Sequence, residues 1–488
     1  MVKNNLAKVE DLNYEEVTNN ESKIKWCSVS LLDVIEHGKR LEASVFDIEA
    51  KNAREILNNS KWNKVNLIEG KYIKEVFYPG RFKRIYVDKE SGEPFYLPSQ
   101  INEIYPKPEK YISKLTNCDM ESLKVKKGDI LLTRSGTIGN VTIVSETLSD
   151  KVFSDDVIRI RLNNDYDIGY LYTYLNTKIG KKILQTNKYG SVITHIEPEH
   201  LEKIIIPNAS KNIKVKINNI IKKSFEKRDQ SNELLNIAEK MLIDELQIPL
   251  IEELKNKTED KTQIFNVKLS NINNRFDASY HVPIVDEIIE HFNKYAEEVT
   301  TISDPRISKN VILPGRFKRV YVDEGYGRVL LGGKQIYELD PSNKKYLSTS
   351  KHDKRIVEQL EISENTTLIT RSGTIGKVAL VPKHWEEWAA SEHIIRIIPA
   401  NDDIAGYLNV FLASEYGFQL ITHFTYGSVV DEIDDNHVRQ IAVPLLKNHE
   451  VQKKINDLAL EANKKRYEAY ELEQEALKIM NKEVIFAK

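Results

Sequence analysis

The sequence predicts an α/β fold of two tandem copies of one unit, each followed by a long helix. Three observations predict this. The heptapeptide TRSGTIG at residues 133–139 returns unchanged at 370–376. Marker residues around it keep their order: Pro79-Gly80-Arg81-Phe82-Lys83-Arg84 returns 235 positions on (79 to 314) as Pro314-Gly315-Arg316-Phe317-Lys318-Arg319. After a two-residue insertion the shift becomes 237 (134 to 371), and it holds to Pro207 and Pro444. Each copy then leads into a segment with residues of one seam at alternating spacings of four and three. Self-similarity at long period is the mark of a duplicated architecture.

The elements follow in order. Residues 1 to 25 are polar and expected to be loosely ordered. Trp26 to Ile35 reads as a strand or strand-turn, Glu49 to Asn59 as a helix, and Val65 to Tyr78 as strand material ending at the Pro79-Gly80 turn. From Arg81 to Val87 basic residues alternate with aromatic or apolar ones, which predicts a strand with one basic and one packed face. Phe95 to Ile104 is a further apolar stretch. Lys124 to Asp129 turns into the strand Ile130–Thr133, Ser135-Gly136 reverses the chain, and Asn140 to Ser145 returns. That is a β-hairpin with a polar tip. Val157 to Leu162 is a strand, Gly169 to Lys188 an amphipathic helix, and Ile204 to Pro207 a closing strand. The second copy runs from Phe265 to Pro444. Gly406-Tyr407 answers Gly169-Tyr170, and Tyr426-Gly427-Ser428-Val429 answers Tyr189-Gly190-Ser191-Val192.

The long segments run from Ile213 to Leu246 and from Val451 to Met480. Their seams are Ile217, Ile221, Ser224, Arg228, Ser231, Leu235, Ala238 and Leu242, and Ile455, Ala459, Ala462, Arg466, Ala469, Glu473, Ala476 and Met480. This heptad-like spacing, diluted with small and polar residues, predicts two helices lying against each other with surface left for a partner. A helix from Val215 to Leu246 reaches about 48 Å. Pro249 ends the first helix, and the charged Leu254 to Gln263 is a linker.

At 488 residues with 41% apolar side chains and a mean hydropathy of −0.45, the chain reads as an ordinary multidomain globular protein. Cys27 and Cys118 lie in one copy without counterparts, which speaks against a disulfide framework or structural metal and for a reducing, cytoplasmic setting. No apolar leader or membrane span is expected. A net charge of −2 speaks against a uniformly basic nucleic-acid binder but allows local basic patches.

Catalytic readings fail on spacing. In Thr370–Lys377 the glycines stand too close for a phosphate loop, and Val378 follows where Ser or Thr is needed. Pro198 breaks the helix that would align His195 with His200 for a metal, and only the second histidine recurs, as His437. It is expected to pack or cap. Asp155-Asp156 answers Glu392-His393, which suggests one acid orienting a neighbouring arginine. The basic clusters Arg81, Lys83, Arg84 and Arg316, Lys318, Arg319 follow tight turns, where such residues contact phosphates and base edges. With them go the hairpin residues Arg134, Ser135 and Thr137, and Arg371, Ser372 and Thr374. Tyr189, Ser191, Tyr426 and Ser428 complete the candidate DNA-binding set, with no catalytic or metal residues.

Gly-Asp-Ile-Leu-Leu-x-Arg-x-Gly-x-Ile-Gly from Gly128 to Gly139, and the starts Arg40-Leu41-Glu42-Ala43 and Arg275-Phe276-Asp277-Ala278, resemble the specificity subunit of Type I restriction-modification systems. The second copy has Asn365-Thr366-Thr367 in place of Gly128-Asp129-Ile130. The resemblance implies two target-recognition domains, residues 1–207 and 257–444, each reading half of a split double-stranded DNA sequence. It implies that residues 208–256 and 445–488 form antiparallel coiled-coil helices that space the domains. Those helices would dock two methyltransferase subunits, with restriction/translocase subunits also in the complex. S-adenosylmethionine would belong to those partners, and this chain would carry no cofactor and no catalytic residue. The alternatives are a specificity subunit of a related restriction or phage-defence complex, or an enzyme with an unfamiliar active site.

Overall fold

The computed structural model describes residues 29–36, 39, 46–136, 138–186, 195–251, 253–254, 264–272, 275–427 and 429–488. In the first copy, strands Ile73–Phe77, Val157–Leu162, Ile130–Thr133 and Val141–Ile143 form an antiparallel sheet in that spatial order. Both its faces are covered. Ile130, Leu132, Ile158 and Ile160 pack toward the helices, and Leu131 and Val157 pack toward Tyr96 and Phe153. This is why residues 130–132 read as an unbroken apolar run. A second sheet orders Tyr86–Val87, Lys110–Ser113, Gly92–Tyr96 and Val152–Phe153, the last pairing parallel. Lys64–Asn66 pairs with Ile205–Pro207.

The second copy repeats this topology. Its large sheet orders Ser308–Ile312, Ile394–Pro399, Thr367–Thr370 and Val378–Leu380, and its small sheet Tyr321–Val322, Lys345–Ser348, Gly327–Leu331 and Ala389–Ala390. Glu298–Thr301 pairs with Ala442–Leu445.

Three expectations are corrected. Within Trp26 to Ile35, the described residues include the start of a helix, Leu31–Glu36, rather than a strand. From Arg81 to Val87 only Tyr86–Val87 pairs as a strand, and the Ser113 amide reaching the Ile85 carbonyl at 2.8 Å adjoins that short ladder. The helix expected from Gly169 to Lys188 is two helices, Ile168–Asn176 and Lys178–Thr186. Thr177 breaks it: its hydroxyl donates to the Tyr174 carbonyl at 2.7 Å and accepts from the Gly180 amide at 2.9 Å. Ser414 does the same between Asp402–Ala413 and Glu415–Thr422.

The recurrent Gly-Tyr pair marks the crossing of each domain helix with a long helix. The Gly169 amide donates to Asn218 Oδ1 and the Gly406 amide to Asn456 Oδ1, both at 2.8 Å. A Cβ on Gly406 would come within 2.3 Å of the Asn456 carbonyl oxygen. The Tyr170 and Tyr407 hydroxyls donate to the carbonyls of Pro207 and Pro444 at 2.5 Å.

The long helices are Lys211–Leu246 and His449–Ile479. The first ends at Gln247, in the left-handed conformation, two residues before Pro249. They lie antiparallel. Ile217 and Ile221 share a core with Ala476 and Met480, while Ala238 and Leu242 share another with Ile455 and Ala459. At mid-length Ser224 donates to the Ala469 carbonyl at 2.9 Å, and Arg228 pairs with Glu473. The domains also touch directly. Glu103 and Glu338, counterparts by repeat, form an isolated antiparallel bridge, and the Ile104 amide donates to the Tyr337 carbonyl at 2.9 Å. Ile104, Leu339 and Ala469 form a small cluster there. An internal twofold relation therefore passes through this joint.

Candidate nucleic-acid interface

The hairpin tips are set by backbone conformation. Gly136, Gly139, Gly373 and Gly376 have φ of 73°, 95°, 81° and 81°, in the region that side chains other than glycine's rarely adopt. That accounts for the two glycines of the shared TRSGTIG. Gly128 has φ of 88° and its counterpart Asn365 has φ of 64°. Asparagine is among the few residues that tolerate this conformation, so the two copies differ in sequence there without differing in turn.

A neighbouring segment is fastened to each tip. The Ile196 amide donates to the Arg134 carbonyl at 3.0 Å, and the Ile433 amide to the Arg371 carbonyl at 3.1 Å. The preceding loop is fastened too, with the Arg134 amide donating to the Asp156 carbonyl at 3.2 Å and the Arg371 amide to the His393 carbonyl at 2.9 Å. In the first copy buried Arg159 holds that loop, donating to the carbonyls of Leu123, Phe153, Ser154 and Val157. Burial draws its pKa down to about 10.

The segment after the Pro-Gly turn alternates outward and inward. Arg81, Lys83, Arg316 and Lys318 are exposed, while Phe82, Arg84, Phe317 and Arg319 turn partly inward. Arg84 pairs with Asp155 at 2.5 Å and Arg319 with Glu392 at 2.6 Å. The single acid orienting an arginine is thus present in both copies. Arg134 is only 5% exposed. It pairs with Glu197 at 2.5 Å and Asp156 at 3.3 Å, and lies over the Tyr78 ring. Burial disfavours its charge, but Glu197 outweighs this and keeps the guanidinium protonated above its ordinary range. Arg371 and Arg316 share Glu432, at 2.5 and 3.0 Å. The Ser135 hydroxyl donates to Asp156, and Ser372 bonds His393 Nδ1 at 2.8 Å.

The structure therefore brings Arg84, Arg134 and Ser135 together around residues 154–156, and Arg316, Arg371 and Ser372 together around Glu432 and His393. Thr374 is exposed at its tip, and the Tyr426 ring lies 5.4 Å from that of His437. Thr137, Tyr189, Ser191 and Ser428 lie outside the described residues. His200 and His437 act as caps, accepting from the Glu197 and Asp434 amides at 3.1 and 3.3 Å. Among the described residues no group of three or more His, Cys, Asp or Glu could hold a metal ion, and no helix is long and apolar enough to cross a membrane.

Glu197 and Glu432 were not foreseen from sequence. They do not occupy equivalent positions, so the repeat gave no signal for them. Asp155 and Glu392 do, as acid for acid.

A family model described as the Type I restriction modification DNA specificity domain matches residues 25–239 and 332–459, well over half of the chain. No curated protein matches the sequence. The crystal structure of a Type I restriction-modification system S subunit from M. genitalium is 15% identical with a TM-score of 0.33, covering 87% of this chain and 96% of that one. The HsdS subunit from Thermoanaerobacter tengcongensis is 11% identical with a TM-score of 0.26, covering 86% and 95%.

Proposed function

Because the chain belongs to the Type I restriction-modification DNA specificity family, we propose that each copy reads one half of a split double-stranded DNA target through its hairpin tip and basic segment. The observation that carries this is the duplicated cluster. In both copies an exposed arginine and lysine, Arg81 and Lys83 or Arg316 and Lys318, stand beside an acid-oriented arginine and an Arg-Ser tip. Exposed cations serve phosphates, and side chains fixed by partners suit base edges. The chain supplies recognition. Methyl transfer and S-adenosylmethionine belong to two methyltransferase subunits docked along the long helices, and DNA cleavage to restriction/translocase subunits.

The test is methylation mapping with the complex assembled from this chain and its methyltransferase partners. A split motif with a fixed gap is expected. Arg84→Ala should weaken recognition of one half-site and Arg319→Ala that of the other, by about 1–3 kcal/mol each. Loss of both halves from either substitution would overturn the two-reader assignment.

A further inference from the structure

Around the hairpin tips the backbone bonds of the two copies correspond, while the chemistry changes at positions 195/432 and 156/393, the second of which touches the tip serine in both copies. The arginine–acid pairs match, and so do the backbone bonds from Arg134 to Asp156 and from Arg371 to His393. Residues 156 and 393 thus occupy one place in the fold, each bonded to the tip serine. One is a carboxylate and the other an imidazole. Their side chains are 24% and 43% exposed, so both reach the surface beside the tip.

Their hydrogen-bonding senses are opposite. An ionised carboxylate only accepts. Arg134 donates to Asp156 Oδ1 and Ser135 to Oδ2, which fixes its orientation and leaves outward lone pairs. His393 Nδ1 lies 2.8 Å from the Ser372 hydroxyl, and its Nε2 lies 4.0 Å from Glu392 Oε1. Unlike a carboxylate, an imidazole always carries at least one ring N–H, so this position is able to donate. In the major groove cytosine N4 and adenine N6 offer donors, adenine N7 offers an acceptor beside its donor, and guanine N7 and O6 and thymine O4 offer acceptors with no donor beside them.

We propose that position 156/393 is a specificity-determining position read in opposite senses by the two copies. Asp156 takes a base with an exocyclic amino group in one half-site. His393 takes a guanine or thymine acceptor edge in the other. A negative group so close to DNA is tolerated where it meets an amino group, which makes Asp156 as selective by exclusion as by attraction.

This rests on the DNA-reading function proposed above, and the experiment separates the two. Complexes carrying the parent chain, Asp156→Asn or His393→Asp are expressed, and their methylated sites mapped. Asp156→Asn, which keeps shape and removes charge, should lower discrimination at one base of the first half-site by at least about fivefold. His393→Asp should move one base of the second half-site from guanine or thymine toward cytosine or adenine and leave the first half unchanged. Should His393→Asp fail to assemble, His393→Asn should lower discrimination at that same base. Split-site methylation by the parent with unaltered base preference in the variants would overturn this inference alone. A parent that methylates no split site would overturn the functional reading and this inference with it.

Discussion

The residues that recur between the copies sort by what they touch. Tyr170 and Tyr407 are fully buried and donate to proline carbonyls at the closing strands. Replacing either with phenylalanine leaves a buried carbonyl unpaired, at an expected cost of about 1–3 kcal/mol. Denaturant midpoints of the two variants would measure it, and an unchanged midpoint would show that another donor reaches the carbonyl. Lys83 and Lys318 recur for a different reason, since both are exposed. Each changed to alanine should flatten the dependence of DNA binding on salt by about one unit of slope while leaving the recognised bases unchanged. A shift in base preference would make these lysines base readers instead. Tyr170 and Lys83 were equally conspicuous as repeats in the sequence. Only burial separates them, and burial depends on the fold.

At the scale of elements the long helices were the most legible feature, because a period of four and three states both the helix and its buried seam. Ile217, Ile221, Ser224, Ser231, Ala238 and Leu242 are all buried, as are Ile455, Ala459, Ala462, Ala469 and Ala476. The large sheets were legible for the same reason, since their apolar runs ended at glycine turns. The break at Thr177 was not: a threonine within a continuous apolar pattern carries no sign that its hydroxyl will take both a carbonyl and an amide. The helices are not the only link between the domains. Asn232, next to Ser231, donates to the Ile104 carbonyl at 2.8 Å, and the domains meet at Glu103 and Glu338. Four residues inserted after Ser231 would move the rest of that helix by about 6 Å against an unchanged partner. Assembly is expected to fall, and residual methylation of a DNA series with varied gaps should keep the parental gap. A longer preferred gap would make the helices a self-sufficient ruler.

For the whole molecule the joint between domains is the sensitive place. The Glu103 side chain is 10% exposed, and burial raises its pKa to about 7 despite Lys377 at 3.6 Å. Burial raises Glu338 to about 7 as well, against the Ser342 amide and Lys181. Both hold protons in the fold that the unfolded chain, near the ordinary 4.5, has released. Their contribution is thus complete below about pH 4.5 and lost as the pH rises through about 7. Glu103→Gln with Glu338→Gln should be more stable than the parent at pH 8 and close to it at pH 5, by thermal unfolding at both values. An equal difference at both would remove the carboxyl protons from the account.

A side chain on a rotation axis faces its own copy. The backbones of Glu103 and Glu338 pair for that reason, and duplication set two buried carboxyls, each pushed up to about 7, at one joint. The relief is unequal, because Lys377 approaches Glu103, whereas Lys377's own counterpart is the uncharged Asn140. Elsewhere the two halves differ at single positions, as at residues 156 and 393. At the axis neither half can change alone, and a lineage that shuffled halves between related chains would have to keep these two positions compatible.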